Sequence, residues 1–290
     1  MLQTEKWNRQ GLASEPIAYG SKIAHLPGYL ARYFVIGNPD SPPLIVLSGL
    51  AGGMDISLPL ASRLSQQFCV YVLQSRGEDS PYDLSVRTGM EQLGTDCIEF
   101  QKALGLERPL IFGHGFGAIS ALEAARQCPG RIAGIIAQGI APSYSTLLNE
   151  LLLQQVLQPA HQNASSENLF SLMFGTRWIL PQLLELAVTL CRRTDIGVVS
   201  RRLELLSQFD IDHYIDRLRQ VPLLIQSATH DVFGTPESWK PWRRMLPRMA
   251  LQTIDFAGHF AFLTHGESVA SQIERFASRR LGVPMQLPAV

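Results

Sequence analysis

Short runs of uninterrupted apolar residues punctuate the chain: Leu44-Ile45-Val46-Leu47, Cys69 to Leu73, Leu110 to Phe112, Ile135 to Ala137 and Leu223 to Ile225. Runs this short, bounded by turn residues, predict strands buried on both faces, and hence a mostly parallel sheet. Ahead of them, residues 17–26 and 29–36 are β-prone and flank the turn pair Pro27-Gly28, which predicts a hairpin. Between the runs the period changes. Met90, Leu93, Cys97, Phe100 and Leu104 recur at steps of three and four, as do Val269, Ile273 and Phe276, so each set predicts a helix with one core-facing stripe. Alternating strands and helices define an α/β chain with a doubly wound central sheet and helices on both faces.

The alternation lapses across residues 144–218. Only helical stripes occur there: Leu148 and Leu152; Ile179, Leu183, Leu186 and Leu190; Val199, Leu203 and Leu206; Ile211, Tyr214 and Leu218. Pro181 falls near a helix start, where its missing N–H costs little. The pattern predicts a helical cap, residues 144–218, inserted into a core made of residues 1–143 and 219–290. Phe170, Met173, Phe174 and Trp178 are expected in the interior of the cap, with Trp178 a candidate pocket wall. Arg192, Arg193, Arg201 and Arg202 are expected on its solvated face.

Composition narrows the class of function. The chain has 290 residues, with Lys+Arg 25 balancing Asp+Glu 25. That balance carries no electrostatic footprint for nucleic acid or an anionic membrane surface. No stretch of about 18 consecutive apolar residues occurs, so no spanning helix is expected. The segment from Met1 to Gly20 carries Glu5, Lys6 and Arg9 and lacks the apolar run of a secretory signal. Cys69, Cys97, Cys128 and Cys191 are scattered, which fits buried reduced thiols and a cytoplasmic location better than disulfides or a zinc site.

The segment Pro109-Leu-Ile-Phe-Gly-His-Gly-Phe-Gly-Ala118 is the most informative. A buried strand runs straight into Gly113-His114-Gly115-Phe116-Gly117, and a small-residue helix containing Ala118, Ala121, Ala124 and Ala125 follows. Flanking glycines let such a turn bend sharply and let the helix pack close to the sheet. The middle residue is then aimed out of the sheet edge beside helix N-terminal amides.

On these residues the chain resembles the α/β-hydrolase fold superfamily of the capped type, along nearly all its length. The family's Gly-x-nucleophile-x-Gly elbow falls on Gly113 to Gly117. Leu47-Ser48-Gly49-Leu50 resembles the loop after the third strand that supplies an oxyanion amide, with Ser48 where many members have His. Ser75-Arg76-Gly77-Glu78-Asp79-Ser80 resembles the Arg-Gly-x-x-Ser segment after the fourth strand. Thr229-His230-Asp231, following the strand at residues 223–225, matches the site of the catalytic acid, which falls on Asp231. Ala257-Gly258-His259-Phe260 before the last helix matches the catalytic histidine, which falls on His259. The resemblance implies an oxyanion hole from the amides of Phe116 and of the Gly49-Leu50 loop. Ser48 and His114 are candidate neighbours of that site, His114 being expected to pack rather than to react.

One position departs from the family. The elbow's centre is Gly115, where members have Ser, or less often Cys or Asp. Without a side chain no covalent acyl-enzyme can form there. An Asp that accepts the ring N–H of a His still leaves the other ring nitrogen as a base. Three functions remain open: an enzyme that works through the Asp231–His259 pair without a nucleophile, a serine hydrolase whose nucleophile was replaced, and a binding protein that retains the pocket. All three imply a small-molecule partner. No cofactor is implied, because Gly113-x-Gly-x-Gly117 is one residue short of the dinucleotide loop. No metal is implied either, since neither His-Glu-x-x-His nor paired cysteines occur.

Overall fold

The computed structural model describes residues 20–85, 87–144 and 181–282, together with the backbone of two strands, β1 (Thr4–Trp7) and β2 (Ala13–Ile17). These two pair antiparallel as a separate two-stranded sheet. The main sheet holds β3 (Lys22–Leu26), β4 (Tyr29–Ile36), β5 (Pro43–Leu47), β6 (Cys69–Leu73), β7 (Leu110–His114), β8 (Gly134–Gln138), β9 (Leu223–Ala228) and β10 (Met249–Ile254). Their spatial order is β10-β9-β8-β7-β5-β6-β4-β3. The strands from β6 through β10 pair in parallel, and only the β3–β4 hairpin and the β4–β6 pair are antiparallel. This is the doubly wound sheet expected from the apolar runs.

Alternation along the strands supplies a core to each face. Leu44 and Val46 join the apolar cluster under helices α1 (Leu58–Leu64) and α6 (Gly266–Leu281). Ile45 and Leu47 join the opposite cluster under α2 (Met90–Ala103) and α3 (Phe116–Gln127). Removing each such side chain from water stabilises the fold by roughly 1.5–3 kcal/mol, so these four residues pin the sheet between its helix layers.

Two expectations need amendment. The hairpin is shorter at its start, because β3 begins at Lys22, and Ala13–Ile17 pairs with β1 instead. Strand β10 carried no apolar run in the sequence. It lies at the sheet edge, where only Met249 and Ile254 are buried, so one-sided burial relaxes the demand for continuous hydrophobicity.

Between β8 and β9 the described residues form helices α4 (Pro181–Cys191) and α5 (Ile196–Ser207), then a short helical stretch over Ile211–Leu218. Pro181 is the first residue of α4. Ala187 and Leu190 of α4 pack with one core cluster, whereas Val198, Leu203 and Leu206 of α5 pack with the other. The pair therefore straddles the sheet edge where the parallel strands end. Leu148, Leu152, Phe170, Met173, Phe174, Trp178 and Ile179 lie outside the described residues.

The strand order reverses between β5 and β7, which is where a doubly wound sheet opens a crevice at the carboxyl ends of its strands. Both elements meeting there need close backbone contact. A Cβ on Gly117 would sit 2.4 Å from the carbonyl oxygens of Leu47 and Ser48, and one on Gly113 would sit 2.4 Å from the backbone of Ala118. Gly117→Ala should therefore destabilise the protein by about 3 kcal/mol or more, as forced overpacking does, whereas exposed Gly130→Ala should stay within about 0.5 kcal/mol. Urea unfolding of the two variants beside the parent measures the difference.

Candidate active site

The centre of the site is set by backbone geometry. Strand β7 ends at His114 and α3 begins at Phe116, so Gly115 alone makes the turn, at φ 53° and ψ −116°. Its N–H donates to the Gln138 carbonyl at 2.8 Å, which ties the turn to the end of β8. The Phe116 amide is in the first turn of α3, where N–H groups have no intrahelical acceptor and the helix dipole favours negative charge. The expected anion donors, Phe116 and the Gly49-Leu50 pair, come from the loops after β7 and β5, either side of the reversal in strand order.

The histidine and the aspartate meet from two neighbouring strands. Asp231 follows β9 and His259 follows β10, and both side chains are buried. His259 Nδ1 lies 3.2 Å from Asp231 Oδ1 and 3.3 Å from Oδ2. Oδ1 also accepts the Phe233 amide at 2.9 Å, so the carboxylate is held in orientation. With Nδ1–H donating to this carboxylate, Nε2 keeps its lone pair. That nitrogen faces Gly115: a Cβ built there would lie 3.6 Å from His259 Nε2 and 3.8 Å from Cε1, with the Gly139 carbonyl next at 3.9 Å. The space is ordinary van der Waals room, with no side chain filling it.

His114 packs against the same ring. Its Nε2 donates to the His259 carbonyl at 3.0 Å, and the two ring centroids are 4.5 Å apart. Phe262 flanks it at the same centroid distance. Burial, aided by the neighbouring His259 ring, pushes the His114 pKa well below its ordinary value of 6.5. His114 thus stays neutral and fixes the backbone that carries His259. Gly139 makes the approach possible, since a Cβ there would lie 3.0 Å from both His114 Nε2 and His259 Cε1.

The remaining candidates divide. Gly49 lies directly against His114, whose Nδ1 is 2.8 Å from where a Gly49 Cβ would be. Ser48 is buried and its hydroxyl pairs with Ser57 at 3.2 Å, inside its own loop. Ser120 donates to the Phe116 carbonyl at 3.2 Å, within the helix. His230 is exposed and bonds Thr229. Trp178 lies outside the described residues.

The expected solvated arginine face needs correction. Arg192 and Arg193 are exposed, but Arg201 donates to the Thr88 carbonyl at 3.0 Å and Arg202 is wholly buried. Arg202 Nη1 reaches Glu78 Oε1 at 2.5 Å and the Leu50 carbonyl at 2.8 Å, and Nη2 reaches the Arg76 carbonyl at 3.0 Å. A buried guanidinium is tolerable because a carboxylate and two carbonyls replace its water. The thiols differ in part too: Cys69 and Cys97 are buried, Cys128 and Cys191 only partly so, and all four are free. Among the described residues no group of three or more His, Cys, Asp or Glu could hold a metal ion. No helix among them is long and apolar enough to cross a membrane.

With this geometry in hand, the chain can be set beside known proteins. Residues 44–272 match the model of the alpha/beta hydrolase family, and the chain belongs to that family. It is 24% identical over 236 residues to a protein of Escherichia coli O127:H6 named "Putative carbamate hydrolase RutD", covering 79% of this chain and 88% of that one. The enol-lactonase of Burkholderia xenovorans LB400 superposes with a TM-score of 0.75 at 18% identity, covering 89% of this chain and 100% of that chain. The naproxen esterase of Bacillus subtilis gives 0.68 at 15% identity, covering 90% and 92%. Both structures have the same fold.

The neutral His114 has a consequence for stability. On unfolding it regains its ordinary affinity for a proton, so below about pH 6.5 the unfolded chain binds more protons than the native one. Its contribution to stability is therefore retained above that value and lost progressively as pH falls below it. His114→Gln, which cannot titrate yet keeps an N–H for the His259 carbonyl, should flatten the decline. Urea midpoints compared at about pH 5 and about pH 7.5 test this; parallel declines in variant and parent would refute it.

Proposed function

We propose that this member of the alpha/beta hydrolase family is an enzyme that uses Asp231 and His259 as an orienting acid and a base, with no side-chain nucleophile. His259 Nε2 takes a proton from a water molecule held over Gly115. The water oxygen bonds to the carbonyl carbon of a small, largely apolar acyl substrate, and the carbonyl electron pair moves onto oxygen. The N–H groups of Phe116 and Leu50 hold that oxyanion. When it collapses, the leaving group departs with the proton from the imidazolium. In this reading α4 and α5 belong to a cap over the bound substrate. The same base could instead remove a proton from a substrate carbon, with the oxyanion being an enolate.

The observation that carries the reading is the 3.6 Å between His259 Nε2 and the Cβ position of Gly115: an oriented base faces the central elbow position, which carries no side chain. A pure binding protein needs neither the buried Asp231 nor the ring orientation it imposes. The carbamate hydrolase named among the relatives supports an acyl carbon as the reacting centre. A positioned base is worth about 10²–10⁴ in rate and one oxyanion donor about 10²–10³, so catalysis without a nucleophile remains substantial.

A second reading draws support from the turn itself. Gly115 sits at φ 53°, the strained conformation that family nucleophiles adopt, and a serine there would bring its hydroxyl to His259 Nε2. A serine hydrolase that lost its nucleophile fits this geometry.

The two are separated by assaying the parent, His259→Ala and Gly115→Ser on p-nitrophenyl esters, lactones and carbamates. A nucleophile-independent enzyme turns over one of these classes as the parent and loses about 10² or more in kcat on His259→Ala. Unchanged turnover in His259→Ala would sink it. A parent inactive throughout, beside a Gly115→Ser that hydrolyses esters and is labelled by a fluorophosphonate, establishes the second reading. The serine should cost about 1–2 kcal/mol of stability for its left-handed backbone, read from its urea midpoint.

A further inference from the structure

We infer that Arg202, with Glu78 and Thr194, is a positioning device for the anion site: it clamps the loop after β5 to the inserted helices and sets the orientation of the Leu50 amide. This deepens the proposed function and rests on its assignment of Leu50 N–H as an oxyanion donor.

Hydrogen bonds from the segment around α5 hold the loop, and Glu78 supports them. The Leu50 carbonyl accepts Arg202 Nη1 at 2.8 Å, and two residues on the Gly52 amide donates to Thr194 Oγ1 at 3.0 Å. Those bonds anchor the two successive peptide groups that flank Ala51, the first of which starts at Leu50. Glu78 joins the two anchors, accepting Arg202 on Oε1 at 2.5 Å and the Thr194 hydroxyl on Oε2 at 3.4 Å. The loop itself is Gly49-Leu50-Ala51-Gly52-Gly53, with Gly52 at φ 95° and Gly53 at φ 59°, a sequence with little stiffness of its own. Its shape therefore has to be imposed from outside.

Arg202 is itself held. The guanidinium is fully buried, its Cζ lies 5.5 Å from the centroid of the Phe116 ring, and Nη2 donates to the Arg76 carbonyl at 3.0 Å. Arg76 in turn is fixed by Asp96 of α2 through two bonds of 2.6 and 2.7 Å. The residues beside both expected anion donors, Leu50 and Phe116, thus touch a single buried cation on α5. A planar guanidinium can serve a carboxylate and two carbonyls at once, whereas an ammonium cannot match that fork.

The test has two arms. Removing one charge alone leaves its partner buried and unpaired, so the main variants are Arg202→Met/Glu78→Leu, which removes both, and Thr194→Val, which leaves the ion pair in place. The first arm measures amide hydrogen exchange by mass spectrometry in the peptide spanning the 49–53 loop and in α3. Exchange in the loop should rise about tenfold in the double variant and less in Thr194→Val, with α3 unchanged. Equal loop exchange in the double variant and the parent would overturn the inference, as would an equal rise in α3, which would mean general loosening.

The second arm uses Gly115→Ser as background and p-nitrophenyl acetate as probe. The double variant should lose about 10- to 100-fold in kcat with KM changed less than about threefold, and Arg202→Lys should recover only part of that loss. Partial recovery, or none, by lysine fits the fork; full recovery by lysine, or an unchanged kcat in the double variant, overturns it. If Gly115→Ser hydrolyses no ester, the serine-hydrolase reading has failed rather than the clamp, and the exchange arm alone decides whether the clamp orders the loop.

Discussion

The close approach of β5 and α3 at the reversal in strand order is the constraint on which the rest of the site depends. Gly117 lets the first turn of α3 lie against the carbonyls of Leu47 and Ser48, and Gly113 lets the end of β7 lie against Ala118. Neither position has room for a single carbon atom. Because the helix starts this deep, its free amides open toward the crevice rather than toward the sheet, and Gly115 becomes the one residue between strand and helix. Two adjacent strands then deliver Asp231 and His259 to the same point. The geometry of the candidate site follows from backbone packing at the carboxyl ends of five strands.

Around that point the protein invests in buried polar contacts. Asp231 takes both a ring N–H and a backbone N–H, His114 supports the backbone of His259, and Arg202 satisfies one carboxylate and two carbonyls. Each removes polar groups from water at a cost that these hydrogen bonds offset in large part. The ring that faces Gly115 is held by Asp231 through Nδ1, so its Nε2 points at the position without a side chain.

Much of the fold was legible along the chain. The five apolar runs became β5 to β9, since strands buried on both faces must be apolar throughout. The turn at 113–117 was legible because its two ends, positions 113 and 117, leave no room for a side chain, and the sequence states glycine at both. Strand β10 was not, because an edge strand buries few of its side chains and so leaves a weak pattern. Arg202 was misread for a related reason. Four arginines in a helical segment look alike in sequence, and what sets Arg202 apart is its complete burial beside a carboxylate that arrives from a distant loop. Glu78 sits 124 residues away and carries no local mark of that pairing.

By itself, then, the sequence determined the layered α/β architecture and singled out Asp231, His259 and Gly115 as the candidate acid, the candidate base and the position without a side chain between them. Those follow from local periodicity and from residue types that a tight turn requires. Only the tertiary structure decided that His259 Nε2 faces that position at van der Waals distance, that His114 is a neutral support, and that one buried cation ties the inserted helices to the loop of Leu50. The reason is physical. Distances and desolvation are properties of groups brought together from separate parts of the chain, and no local pattern encodes which of them will meet.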